Sequence, residues 1–189
     1  MIEMPMYHRY MEKLETATLG GGCFWCLEAF YKLVNGIDTV TSGYSGGHVD
    51  NPSTNQVYSG KTGHAEVVQL EFNSQVITYE EILKIFFVMH DPTTLNRQGN
   101  DIGEHYRSVI FYHNDEQKTI AEKLKNEFAS TIWTNPVVTQ IVKFEKFWPA
   151  SEEHQNFYQK NPGQPYCLVV IEPKVQKLRQ EFAKYLKTS

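Results

Sequence analysis

Two cysteines, Cys23 and Cys26, stand three positions apart directly behind a run of glycines, Gly20-Gly-Gly22. A thiol in the first turn of a helix faces backbone N–H groups that lack partners and the positive end of the helix dipole. Both favour thiolate over thiol, and the thiolate is the nucleophile. The glycines let a substrate come close to the backbone, and Phe24 and Trp25, next in the chain, offer an apolar wall. Cys26 falls within one helical turn of Cys23, a separation that suits a disulfide. The bland account is an inert cysteine pair in an apolar helix, and the glycine run weighs against it, because a core helix needs no such approach. Zinc is disfavoured, since two cysteines supply two ligands and the chain has no second pair.

Glu66 is a second residue of interest. If residues 65–72 form a strand, alternation puts Glu66, Val68, Leu70 and Phe72 on one face. A carboxyl on an apolar face is poorly solvated and its pKa rises. That is the condition for an acid that must arrive protonated at neutral pH. The competing account is a solvated glutamate at a strand start, which is commoner among strand glutamates in general.

The elements that must position these groups follow from pattern. Residues 16–20 read as a short strand, and a helix runs from Cys23 to about Val34, with Cys23, Leu27, Phe30 and Val34 on one stripe until Asn35-Gly36 ends it. Strands are expected over 37–44 and 65–72, with a Gly-, Ser- and Asn-rich loop over 45–64 between them. Thr78 and Glu81 have capping-box spacing and open a helix that Asp91-Pro92 stops. A polar loop covers 93–104, then a strand 106–112, a helix 115–128, a strand 137–144, a short helix 151–159, a strand 167–171 and a last helix 173–186. Some strands follow one another without a helix between them. The expected fold is therefore α+β: a mixed sheet with packed helices in a layered, ferredoxin-like sandwich.

The length, 189 residues, suits one domain with extensions. Residues 1–15 read as a loosely attached arm that lacks the apolar stretch of a secretory signal, and residues 16–189 as a single domain. With 41% hydrophobic and 21% charged residues the chain is an ordinary globular one rather than disordered. A net charge of −4 gives no electrostatic case for nucleic acid, and no apolar run approaches membrane-spanning length. Three cysteines, an odd number, argue against a disulfide-stapled secreted scaffold and for a reducing, cytoplasmic setting.

The motifs taken together resemble the peptide methionine sulfoxide reductase A family. The resemblance begins at Gly22-Cys-Phe-Trp25 and continues through Gly43-Tyr-Ser-Gly-Gly47, Gly63-His-Ala-Glu-Val67, His90-Asp-Pro92 and Arg97-Gln-Gly-Asn-Asp101. It extends through Tyr106-Arg-Ser108, Pro149-Ala150 with His154-Gln155, and Asn161-Pro162 with Tyr166-Cys167, about residues 16–172 in all. The resemblance implies an enzyme, a peptide-methionine (S)-S-oxide reductase. Cys23 would attack the sulfoxide sulfur and become a sulfenic acid, and Glu66 would be the pocket acid. Tyr44 and Tyr106 would bind the sulfoxide oxygen, Asp101 would order the site, and Phe24 and Trp25 would cage the substrate methyl. His64, His90 and His154 also fall in matching motifs and read as structural hydrogen bonders.

It also implies no bound cofactor, thioredoxin or another thiol as electron donor, and oxidised proteins or free methionine sulfoxide as substrate. The resolving thiol stays open. Cys167 matches the Tyr-Cys position that some members use, but no glycine-rich tail follows it. Cys26 is closer, where a glycine is common, and an external thiol is the third choice. The main alternative function is a thioredoxin-like dithiol oxidoreductase using Cys23 and Cys26, although its βαβ context is weak. A cysteine hydrolase would need a histidine paired with Cys23. A non-catalytic interaction domain would tolerate its loss.

Overall fold

The structure, a computed structural model, describes residues 14–188. The arm expected over residues 1–15 therefore lies, up to residue 13, outside the described residues. The first strand, β1 (Leu14–Gly20), leads through the glycines to α1 (Phe24–Tyr31) and on to β2 (Ile37–Ser45). Within the expected loop sits a one-turn helix, α2 (Thr54–Tyr58), started by a capping box between Ser53 and Gln56. Strand β3 (Ala65–Asn73) follows, then α3 (Tyr79–Met89), opened by the Thr78–Glu81 capping box as the spacing predicts.

A two-residue ribbon, β4 (Arg97–Gln98) and β5 (Asp101–Ile102), and a 3-10 turn at Glu104–Tyr106 precede β6 (Val109–Tyr112). Next come α4 (Asp115–Lys123), a π-helical turn Leu124–Ala129 and α5 (Ser130–Ile132). Two short strands, β7 (Gln140–Lys143) and β8 (Phe147–Pro149), are followed by α6 (Phe157–Lys160). The chain then makes a π-helical turn at Cys167–Ile171 and runs straight into α7 (Glu172–Glu181).

Six strands form one sheet in the order β7-β6-β1-β3-β2-β8. All neighbours are antiparallel except β6 and β7, so the sheet is mixed and the fold is α+β. The two faces of β3 divide by parity. Val68, Leu70 and Phe72 face the main core with Leu27, Phe30, Ile82 and Phe86 from the helices. Ala65 and Val67 face a smaller cluster with Val109 and Phe111, covered by Phe144 and Phe147. Each fully buried Leu or Phe of the main core contributes on the order of 1.5–3 kcal/mol, which fixes the sheet and α1 as the rigid part of the molecule.

The expected strand at 167–171 is a helix. Cys167, Ile171, Val175 and Leu178 are all buried while Leu168 and Val169 are exposed, a four-, four- and three-residue spacing that belongs to one helical stripe. Pro173 lies in the first turn of α7, where it has no N–H to donate, and the wider π turn precedes it. The strand expected from residue 106 begins only at Val109, and the helix expected over 151–159 shrinks to Phe157–Lys160. Strand β8 was not expected. It is three residues long and exists by pairing with Gly43, Tyr44 and Ser45 at the sheet edge.

Candidate active site

The turn into α1 is built on Gly22. Its φ of +93° is in the left-handed region, and a Cβ there would lie 2.5 Å from the side chain of Gln98. Gln98 is itself fixed, accepting from the Asp91 N–H and donating to the Asp91 carbonyl. Cys23 is the N-cap of α1, and Cys26 lies in the first turn; both are buried free thiols.

Glu66 reaches this helix start from β3. It is fully buried, and its Oε2 accepts the Phe24 N–H at 2.9 Å. Burial pushes its carboxyl up to about 8; the Phe24 N–H and Tyr58 oppose the rise without cancelling it. Its other oxygen, Oε1, has no partner in hydrogen-bond geometry, although Tyr58 is close enough to influence ionisation. A protonated carboxyl with an unsatisfied oxygen, one residue from a buried thiol, is poised to give a proton.

The same hydrogen bond overturns one expectation. The first free N–H of α1 is taken by Glu66 and is not available to the Cys23 sulfur. Burial therefore pushes the Cys23 thiol well above its ordinary value, helped by the Cys26 hydrogen bond and the charge of Glu66. Cys26 is drawn down to about 7, chiefly by the Cys23 hydrogen bond, with Lys174 and Tyr166 assisting against burial. Burial of Cys23 thus works against the thiolate that the helix start favours.

Aromatic rings close the site. Phe24 is buried, with its ring 5.7 Å from Tyr44 and 5.6 Å from His154. Trp25 stacks on Phe157 at 3.5 Å and 5°, and Tyr166 meets it edge-on at 5.9 Å. Tyr44 sits opposite Glu66 in the β2–β3 register, which puts both on the helix-facing side. Its hydroxyl shares a hydrogen bond with Thr54 Oγ1 at 2.8 Å, and burial raises its pKa to about 12. Tyr106, on the 3-10 turn, is also pushed up by burial and feels the charge of Glu66 and Cys23. Asp101 accepts from the Tyr166 hydroxyl at 2.8 Å, and that hydroxyl stands 3.9 Å from Cys26 Sγ.

The catalytic and substrate-binding residues singled out in the sequence meet here with Cys26, and Cys167 does not. It lies on the π turn, buried, close enough to Cys26 for that thiolate's charge to add to the burial that raises its own pKa. Three contributors were missed. Tyr58 comes from α2, whose Ser53-x-x-Gln56 capping spacing was a readable signal passed over within the polar loop. Tyr166 stood in the Tyr-Cys match, with no role attached. Glu28 is a carboxyl in an otherwise apolar helix, and that contrast was a readable signal. It is buried and accepts from the Asn156 and Phe157 N–H groups at 2.7 and 3.3 Å, holding Phe157 against Trp25.

The histidines have other bonds. His90 lies between Phe86 O at 2.6 Å and Ser108 Oγ at 2.7 Å, and burial lowers its pKa to about 4. His64 accepts from the Gly47 N–H and donates to the Val49 carbonyl. Among the described residues no histidine is hydrogen-bonded to Cys23, so the site lacks the thiol–imidazole pair of a cysteine hydrolase.

A pair of buried thiols, a buried acid with a raised pKa and an aromatic cage define a thiol-dependent oxidoreductase. Comparison with known proteins gives the family. The chain belongs to the peptide methionine sulfoxide reductases: the model of that family matches residues 15–186. Its activity is that of a peptide-methionine (S)-S-oxide reductase. A relative from Saccharolobus solfataricus, named peptide methionine sulfoxide reductase MsrA, is 56% identical over 169 residues, 89% of this chain and 95% of that one. The crystal structure of Mxr1 from Saccharomyces cerevisiae in reduced form superposes with a TM-score of 0.76 at 35% identity, covering 84% of this chain and 91% of that one. Mxr1 in complex with Trx2 superposes at 0.54 and 28% identity, covering 78% and 87%.

Proposed function

We propose that Cys23 is the nucleophile and Glu66 the acid of the sulfoxide reduction. The observation that carries this is the Glu66 carboxyl, buried, raised to about 8 and pinned by the amide that follows Cys23. The Cys23 proton passes to Cys26 as substrate enters, and the Cys23 thiolate attacks the sulfoxide sulfur. Glu66 gives its proton to the sulfoxide oxygen, which Tyr44 and Tyr106 hold. The attack joins Cys23 Sγ to the substrate sulfur; the oxygen then passes to Cys23 Sγ as that bond and the substrate S–O bond break, so methionine leaves and Cys23 carries the sulfenic acid. Phe24 and Trp25 hold the methyl group, so sulfur presents one face. Asp101 acts through Tyr166 by fixing its hydroxyl over the thiols.

Cys26 then condenses with the sulfenic acid, forming a disulfide and releasing water. This shifts the choice from Cys167 to Cys26, because Cys26 stands one helical turn from Cys23 at the start of α1, with both thiols buried. Cys167, behind Cys26, is placed for a second exchange. A dithiol donor reduces the disulfide and oxidises itself. Thioredoxin is the donor we favour, and the Trx2 complex of the yeast relative supports it.

The substrates are oxidised proteins and free methionine sulfoxide. The reductase domain starts at Leu14 rather than residue 16, because Leu14 and Glu15, expected in the arm, pair with β3 as part of β1; β1, α1, β2, β3, α3 and β6, with sheet order β6-β1-β3-β2, make a ferredoxin-like βαββαβ core. No described helix is long and apolar enough to cross a membrane. Three free cysteines suit a reducing cytoplasm. The test is single turnover with resolved sulfoxides. The S epimer yields one equivalent of methionine and a sulfenic acid or disulfide at Cys23. Equal turnover of the R epimer, or an unmodified Cys23, would sink the mechanism.

A further inference from the structure

The reaction leaves unused a groove of about 760 Å³ that opens where Tyr44 and His154 leave the cage. It runs between the 51–56 segment and the 149–154 turn. Cavities of roughly 300–1,000 Å³ receive ligands of drug size, more than a methionine side chain fills. The groove and the cage share a wall. Tyr44 packs its ring on Phe24, while its hydroxyl, Thr54 Oγ1 and His154 Nε2 form one hydrogen-bonded chain with links of 2.8 and 3.1 Å. Tyr44 and His154 thus border both spaces, and the groove lies beside the cage.

The lining is polar. The side-chain amides of Asn51 and Asn55 are exposed and hydrogen-bond to no other described residue. Each amide offers both a donor and an acceptor, which is what a polypeptide backbone presents in return. An apolar ligand would leave them unpaired. Glu153 is the one formally charged residue in the lining, with no Lys or Arg beside it, and its carboxylate is held by the Ser151 hydroxyl at 3.1 Å. His154 stands 3.9 Å away, but burial lowers its pKa, so it does not neutralise Glu153 at neutral pH.

We propose that this groove binds the stretch of polypeptide adjoining the methionine sulfoxide, and that Glu153 favours a cationic side chain on that stretch. The inference rests on the cage being the sulfoxide site. It makes the protein a reader of its substrate's neighbourhood as well as of the sulfoxide.

The test uses the full chain and three substrates: free methionine S-sulfoxide, and two pentapeptides with a central methionine S-sulfoxide flanked by lysines or by glutamates. Asn55→Trp fills the groove from α2 and leaves the cage alone. It should cut kcat/KM on both peptides by about tenfold, the worth of one or two net hydrogen bonds, and keep the free sulfoxide within about twofold. Wild type should prefer the lysine peptide by roughly threefold, since an exposed charge pair is weak, and Glu153→Lys should reverse the order. Equal losses on free and peptide substrates, or no loss on peptides, would overturn the groove. An unreversed preference would overturn the role of Glu153. Wild type that turns over none of the three is a different failure: it removes the sulfoxide reading itself, and this inference with it.

Discussion

The nucleophile and acid stand on regular elements, whereas the segment that carries Tyr166 and Cys167 does not. Cys23 caps α1, and Glu66 lies near the start of β3, an inner strand of the sheet, paired with Tyr44 of β2. Across the site, residues 150–164 hold only a four-residue helix and a left-handed Asn156 before the chain enters the π turn that leads into α7. The contrast divides the labour. Bond-making atoms need fixed geometry, and recycling needs thiols that can later meet one another and an outside donor. Local opening is cheapest where backbone pairing is least regular.

The largest expected effect tests the rigid side. Cys23→Ser should release no methionine in single turnover, with the fold intact by circular dichroism. Substantial release from that variant would end the comparison, since the reaction would not depend on the helix start. Glu66→Gln keeps the shape and removes the proton, so single-turnover rates should fall on the order of 10²–10⁴-fold. The acid is active only while protonated. The wild-type rate should therefore decline as pH rises past about 8, and the Gln variant should lack that limb. A variant with near-full rate would move the proton source elsewhere.

Recycling is tested by the other two thiols, Cys26 on α1 and Cys167 on the π turn. Cys26→Ser should still release one equivalent of methionine, more slowly. It should then accumulate Cys23 sulfenic acid and lose thioredoxin-driven turnover, while dithiothreitol still recycles it. Cys167→Ser should still form the Cys23–Cys26 disulfide, mapped by mass spectrometry. The reverse pattern would give the resolving role to the π turn and make that segment part of the chemistry. Smallest is Glu28→Ala, which unpairs two backbone N–H groups and should cost about 1–3 kcal/mol in denaturant unfolding, with a shift in Trp25 fluorescence. Glu28→Gln should lose less. Unchanged stability and emission in the Ala variant would mean that Phe157 needs no anchor.

Much of the rigid side was legible because its signals are local or periodic. The glycine run marks the start of α1, alternation puts Glu66 with Val68 and Leu70, and Thr78 with Glu81 opens α3. The irregular side misled. Leu168 to Ile171 is a β-branched run that reads as a strand, and only the spacing of Cys167, Ile171, Val175 and Leu178 betrays a helix. The expected Cys23 thiolate is opposed chiefly by burial, and also by Cys26 and the charge of Glu66, a residue 42 positions away, which the local pattern does not display. Strand β8 escaped because three residues at a sheet edge carry no pattern of their own.

The bond between Glu66 Oε2 and the Phe24 amide also constrains how this site can change over time. One strand, one side chain and one helix start form a closed mechanical loop, so acid and nucleophile inherit their separation from the same contact. A substitution at Glu66 releases the helix start as well as removing a proton, and its cost should not add to that of a change at Gly22 or Cys23. Drift at any one of these positions is thus judged against the other two, and the three form a single unit of inheritance spread over two distant parts of the chain.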